Sequence, residues 1–446
     1  MRNKLNRFDI LSLVLGSIIG WGAFTLPGIK FLPESGVINT TIGLLLGGFA
    51  ILFIQKGYHI MMQQHAEDGG GFSYTYKNLG RGHGFIVGWA LILCYLSIVP
   101  LNATAFVLIV KILLGSNIEW LYLYEIAGYP VYFSEVLIAS SVLILFAALN
   151  IRGLRKSSNV QNVMVLFLMI NIAIVFIAML LNTGSTTLST NYFYNYDFDI
   201  GEIAKVIAII PFLFVGFDII PQVATQLKFK PEKATWIAIL SVFSGVIAYS
   251  LLNVITALAF SPDQTKQLDW ALGEAVLTHV GSFGFILLII ALMTAVSGGI
   301  NGFMISSSHL LSSLSAYKLC HPKYMKRTNA GVPINSVFFI TGISLLAPWF
   351  GREVIIYIVD MSSFLSAIAY LYVCFISYKQ AASRWDQLLT FTGIIISISF
   401  ILLLIIPQSP GKLSTPSLIF MGLWGIAGLF YYRSYTKKVA KQNANQ

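Results

Sequence analysis

The chain has 446 residues, 57% of them hydrophobic and 10% charged, with a formal net charge of +10 and a mean hydropathy of +0.78. Soluble proteins carry roughly 45–50% apolar and about 25% charged residues, so a soluble fold is excluded and an integral membrane protein is indicated. The three cysteines, Cys94, Cys320 and Cys374, imply no disulfide framework.

A run of about 20 apolar residues suffices to cross a roughly 30 Å hydrocarbon core, and such runs recur almost to the end of the chain. Twelve spans are predicted, over 9–30, 37–58, 84–114, 131–150, 158–182, 202–227, 234–260, 282–313, 333–350, 353–378, 386–407 and 415–433, forming one polytopic domain over 1–446. The basic start MRNKLNR also suits a signal peptide. No small-residue cleavage site precedes Pro27, however, so the first run is read as a span.

In a soluble protein a charge of +10 would point to nucleic acid. Here 22 of the 28 Lys and Arg fall in alternate connections, starting with the amino-terminal segment (Arg2, Lys4, Arg7) and ending with Arg433, Lys437, Lys438 and Lys441. The positive-inside rule then places both termini in the cytoplasm of a multi-pass protein of the cell membrane. The partners expected are a small-molecule solute, protons and the lipid bilayer, and no nucleic acid. The longest polar connections, 65–84, 182–199, 261–281 and 316–332, are short, and 261–281 has room for a short helix.

Two spans carry their own breakers. Span 1 contains GSIIGWG (16–22), and five spans later span 6 contains PFLFVGFD (211–218). An odd number of spans per repeat inverts the second copy, so the two broken helices would enter from opposite faces and meet. An unpaired backbone group in lipid costs several kcal/mol, and an unwound stretch survives only where it is buried or lines a polar cavity. Freed amides attract a carboxylate and freed carbonyls an ammonium, so a site with both ends suits a zwitterion. Glycines such as Gly16 and Gly20 also serve close helix packing.

Among side chains, Asp218 is the coupling candidate, because a carboxylate inside a span is costly and functional by default. It is equally well placed as a helix cap. Asn102, two residues after Pro100, is a candidate contact for the solute. Ser297 and Ser306 to Ser308 on span 8 offer hydroxyls for a sodium ion, and Asp360 is read as an interfacial carboxylate. The six histidines lack metal-ligand spacing, so no metal site and no cofactor are expected.

The motif GSIIGWGAFTLPG resembles the first-helix motif of the amino acid-polyamine-organocation (APC) superfamily. In order along the chain, GGGFSYTYKNLGRGHGFIVGW (69–89), FLFVGFD (212–218), INGFMISSSHLLSSLS (300–315) and YIVDMSSFLSAIAYLY (357–372) are similar to further segments of that superfamily. The resemblance implies an all-α fold of 12 transmembrane helices. A 5+5 inverted repeat, 9–182 and 202–378, has helices 1 and 6 broken, and two helices trail it over 386–433. It implies a substrate carboxylate on the amides around Ile18, Trp21 and Gly22, and a substrate amine at the carbonyls of Ile18, Phe212 and Val215. Phe212 takes the place of an aromatic gate.

Three departures stand out. Trp21 replaces a small residue, Leu168 stands where many relatives carry a fifth-helix lysine, and Gln226 replaces one of an acidic pair after helix 6. The expected function is a secondary transporter of amino acids, leaning to neutral ones, by alternating access with proton coupling. An exchanger or a carrier of polyamines or other organic cations is the alternative. A membrane-embedded enzyme would need a nucleophile–base pair or metal constellation that the spans lack, and a channel would need a ring of charges or a filter.

Overall fold

The computed structural model describes residues 4–194 and 196–444, excluding the side chains of 436–444. Arg2 and the side chains of Lys437, Lys438 and Lys441 therefore lie outside the described residues. In chain order the helices are α1 (Arg7–Ile18), α2 (Trp21–Leu26), α3 (Gly36–Gln64), α4 (Gly70–Leu79), α5 (Arg81–Leu114), α6 (Phe133–Ile151), α7 (Leu154–Thr183), α8 (Thr186–Tyr192) and α9 (Ile200–Phe214). They continue as α10 (Thr235–Ala259), α11 (Pro262–Thr265), α12 (Ala271–Ala316), α13 (Ile334–Leu346), α14 (Gly351–Asp360), α15 (Ser362–Gln380), α16 (Arg384–Ile405) and α17 (Thr415–Ala444). An antiparallel hairpin, β1 (Tyr122–Ile126) and β2 (Tyr129–Tyr132), precedes α6.

Among the described residues, ten helical segments are long and apolar enough to cross a membrane. Two of them, Trp21–Gln64 and Ile334–Gln380, each join what the sequence reads as parts of two spans, and each contains a glycine of positive φ, Gly36 (65°) and Gly351 (74°). Helix α1, with 12 residues, rises about 18 Å and is too short to count alone. The fold is all-helical apart from this short hairpin, which the sequence did not announce and which moves the start of the fourth predicted span from 131 to 133. The polar connections also hold more order than expected: α4 lies within 65–84 and α8 within 182–199, and α12 continues back to Ala271 through a kink at Gly281.

The core forms around α12, which packs along α5 and α7 and crosses α1. Small residues permit that crossing. A Cβ on Gly298 would stand 2.8 Å from the Gly16 carbonyl oxygen, and one on Gly302 only 1.9 Å from Ser17 Oγ. The serines after them are tied to their own helix: Ser306 and Ser307 donate to Gly302 and Phe303 carbonyls one turn back, and Ser308 to that of Ile305. At the periphery, α7 exposes Leu166, Phe167, Ile170 and Ile177. Such an apolar face suits hydrocarbon, which solvates leucine as well as a protein core does.

Both breaks have local causes. Helix α1 starts with a capping box, Asp9 N–H donating to Asn6 Oδ1 at 2.9 Å and Asn6 N–H to Asp9 Oδ2 at 2.7 Å, which satisfies two otherwise free donors. It stops at Ile18 because Ile19 (φ −94°, ψ 96°) and Gly20 (φ −116°, ψ −160°) are extended, and the chain resumes as α2. Helix α9 ends at Phe214, where Val215 (φ −51°, ψ 127°) and Gly216 (φ 128°) turn the chain into the 3-10 stretch Phe217–Gln226. A Cβ at Gly216 would lie 2.9 Å from Ser17 Cβ. The second break therefore rests directly on the first.

Candidate functional site

Beside this contact lies a cavity of about 30 Å³. Ile18, Trp21 and Gly22 line it from the first break, Phe212 from α9 and Asn102 from α5, so five of the six residues expected from the sequence surround one space. The sixth, Val215, is buried within the second break and does not line the cavity. The space holds about one water molecule. Admitting a solute the size of an amino acid requires the walls to move.

Helix geometry explains what the breaks offer. The first N–H groups of a helix have no intrahelical acceptor, and the last carbonyls no intrahelical donor. Ile18, at the end of α1, already accepts a bond from Tyr249 Oη of α10 at 3.2 Å, and a carbonyl oxygen has a second lone pair to give. Asn102 is buried, with its amide nitrogen bonded to the Ile98 carbonyl at 3.0 Å. Its Oδ1 faces the break, 3.5 Å from where a Gly20 Cβ would be. Tyr249 was not among the residues expected from the sequence, although a tyrosine in mid-span needs a partner for its hydroxyl, and that was the available signal.

Contacts flank the cavity on two sides. Toward the hairpin, Phe212 packs against Leu101, Ile355 and Val359, and Trp21 carries the Arg352 guanidinium 5.2 Å from its ring centroid. Toward the opposite end, Phe303 lines the cavity and its ring lies 6.1 Å from that of Tyr95. Tyr95 donates a short hydrogen bond to Asp218 Oδ2, and Gly216 N–H donates to Asp218 Oδ1 at 3.1 Å. Asp218 is thus fully buried beside the second break, one layer behind the cavity wall. Gln222 Nε2 completes the cluster, 3.4 Å from Tyr95 Oη.

Leu168 is buried on α7, and seven residues earlier Gln161 meets α1 ahead of the first break. A Cβ on Gly16 would overlap its amide nitrogen, at 1.9 Å. That nitrogen reaches the Ser12 and Gly298 carbonyls at 3.3 and 3.4 Å, and Asn301 donates to its oxygen at 2.9 Å. Ser157 and Asn150 donate in turn to Asn301 Oδ1. A neutral, hydrogen-bonded amide therefore fills the junction of α1, α7 and α12.

At the end away from the hairpin, Asp68 in the α3–α4 connection gathers three elements. It accepts from Thr225 N–H and Oγ at 2.9 and 2.8 Å and from Arg327 at 3.0 Å, with His309 Nδ1 at 3.8 Å. Burial alone would raise its pKa, but the His309 ring, the Thr225 amide and Arg327 outweigh that and hold the carboxyl at about 2. Gln226, which replaces an expected acid, donates to Thr225 Oγ1 at 3.1 Å. Ser297 is buried on α12, and Asp360 is exposed with Ser417 Oγ at 3.5 Å. Among the described residues no group of three or more His, Cys, Asp or Glu is placed to hold a metal ion.

The sequence matches known transporters along its length. It is 22% identical to the branched-chain amino acid permease BcaP of Bacillus subtilis (strain 168), over 99% of this chain and 95% of that one. Identity is 25% to the methylthioribose transporter of the same organism, over 58% of this chain and 59% of that protein's length. The low-affinity putrescine importer PlaP of Escherichia coli (strain K12) is 22% identical over 78% of this chain and 75% of its own. A family model described as amino acid permease matches residues 5–430. With two broken helices in contact beside one small cavity and that match over nearly all of its length, the chain belongs to the amino acid permease family, a family of APC-type membrane transporters rather than enzymes.

Proposed function

We propose that this protein is a secondary transporter of amino acids, neutral ones first, working by alternating access around the cavity between the two breaks. The observation that carries this reading is the direct contact of Gly216 with Ser17, which sets the end of α1, the start of α2 and the turn after α9 around one small polar space. The substrate carboxylate would take the free amides of Trp21 and Gly22. The ammonium would take the carbonyls of Ile18, Phe212 and Val215, with Asn102 beside the side chain. Either Phe212 with Trp21 or the Asp68 cluster would move first to admit or release the solute.

The same reading takes the two glycine-interrupted segments as two spans each. That gives twelve spans arranged as the inverted repeats 9–182 and 202–378, with 386–433 trailing. Leu5 pairs with Leu227, and Tyr431 and Tyr435 of α17 donate to Leu319 and Cys320. These contacts support placing both termini at the Asp68 end, which the clustered basic residues assign to the cytoplasm of a cell-membrane protein. Proton coupling would run through Asp218.

Uptake into proteoliposomes of a panel of labelled amino acids, repeated under imposed pH and sodium gradients, tests the reading. The preferred amino acid should bind at least tenfold more tightly than its methyl ester or its decarboxylated amine, since each loses one charge-assisted hydrogen bond of roughly 1.5–3 kcal/mol. Equal competition by the amine would favour the polyamine alternative.

A further inference from the structure

We infer that Arg352 sets the charge rule of the cavity, admitting zwitterions of no net charge and turning away solutes that carry a second ammonium group, such as lysine or a diamine. The inference rests on the transport reading above and names the substrate class of that same site.

Arg352 lies at the start of α14, is 7% exposed, and was read from the sequence as an outer-loop residue. Three contacts fix its guanidinium. Nη1 donates to the Leu101 carbonyl at 3.2 Å and to Thr104 Oγ1 at 2.8 Å, and the group lies over Trp21 at 5.2 Å. Both acceptors are neutral. Lys111 takes two carboxylates of this region, pairing with Glu119 at 3.0 Å and, at shorter range, with Glu135, while Glu353, the next residue along, lies near enough to act on the guanidinium through space. Glu135 also accepts from Tyr129 at 2.9 Å. Among the described residues no carboxylate oxygen lies within ion-pair range of Arg352, so its charge has no direct partner and is offset only at longer range, by Glu353.

The hairpin holds this arrangement in place. A Cβ on Gly351 would touch Val131 and Tyr129 of β2 at 3.4 and 3.5 Å, so the backbone that presents Arg352 is pinned against the strand. Trp21 also lines the cavity, and in this proposal its indole separates the solute from the guanidinium. A cation resting on the cavity side of that ring would lie roughly 9 Å from the guanidinium and compete with it for the same π system. Two like charges at that distance, at an effective dielectric of about 20, oppose each other enough to weaken binding on the order of twentyfold. A neutral side chain at the same place meets no such opposition.

The test uses the full-length protein in proteoliposomes, with labelled leucine uptake competed by unlabelled leucine, lysine and putrescine. In the wild type, leucine should compete about twentyfold better than either cation. Arg352→Gln keeps a donor for Leu101 and Thr104 but removes the charge, and the cations should gain about twentyfold relative to leucine. Arg352→Lys keeps the charge and should keep the discrimination, whereas a merely structural role would leave the ratio unmoved in both variants. Should Arg352→Gln fail to fold, Thr104→Asp sets a carboxylate against the intact arginine and should relax selectivity in the same sense. A folded neutral variant with the wild-type ratio overturns the inference, as does a wild type that carries amino acids without preferring neutral ones. A wild type that carries no amino acid overturns the transport reading and the charge rule together.

Discussion

Gly22 gives the sharpest residue-scale test, because its added side chain would meet only Leu26, with Cδ1 at 3.5 Å. Gly22→Val therefore fits the helix, carries no propensity cost because valine is the better helix former of the two, and fills a cavity with no spare volume. Substrate affinity should fall by about a hundredfold or more while the melting temperature in detergent stays close to wild type; unchanged affinity would remove Gly22 from the site. Asp218 poses a different question, since both its oxygens already accept bonds from Tyr95 and Gly216. Asp218→Asn retains an acceptor but exchanges no proton at physiological pH. If protons drive uptake, the variant should exchange substrate across the membrane yet fail to concentrate it under an inward proton gradient. Accumulation with unchanged pH dependence would leave Asp218 as a structural brace of the break.

At the scale of elements, the breaks were legible in the sequence because glycine, proline and an acid inside an apolar run have few structural uses. The Gly216 position carries the stricter demand, combining φ 128° with contact against Ser17. Gly216→Ala should cost about 1–3 kcal/mol of stability, read as a lower melting temperature, where Gly20→Ala, with nothing nearer than 3.5 Å, should cost much less. The hairpin was not legible. Its turn is Ala127-Gly128, with φ of 53° and 79°, and alanine hides a conformation that Asn-Gly or Asp-Gly would have announced. Gln161 was missed for another reason: motif spacing pointed to Leu168, and which α7 residue reaches Ser12 and Gly16 depends on how far the helix slides along α1 and α12. Arg352 was misplaced because a lone arginine at a span end ordinarily faces water.

Across the whole molecule, Asp68 links the α3–α4 connection, the stretch after the second break and the α12–α13 connection through Thr225, Arg327 and His309. Folding lowers this carboxyl from its ordinary 3.8 to about 2. Its stabilising effect, on the order of 2 kcal/mol, is thus fully present above about pH 4 and is lost as pH falls through about 2. Asp68→Asn should be less stable than wild type by up to that amount at pH 7, with the gap narrowing between pH 4 and pH 2, followed by thermal unfolding across that range. The same region holds the parallel pairing ahead of α1, in which Leu5 N–H donates to the Gln226 carbonyl at 2.8 Å and Lys228 N–H donates to the Leu5 carbonyl at 2.9 Å. Whoever attaches a fluorescent reporter or an affinity handle to this protein therefore faces an asymmetric choice. A fusion joined ahead of Leu5 tugs on the two bonds that staple the first broken helix to the second, whereas one joined beyond α17 hangs from a helix that packs at the rim.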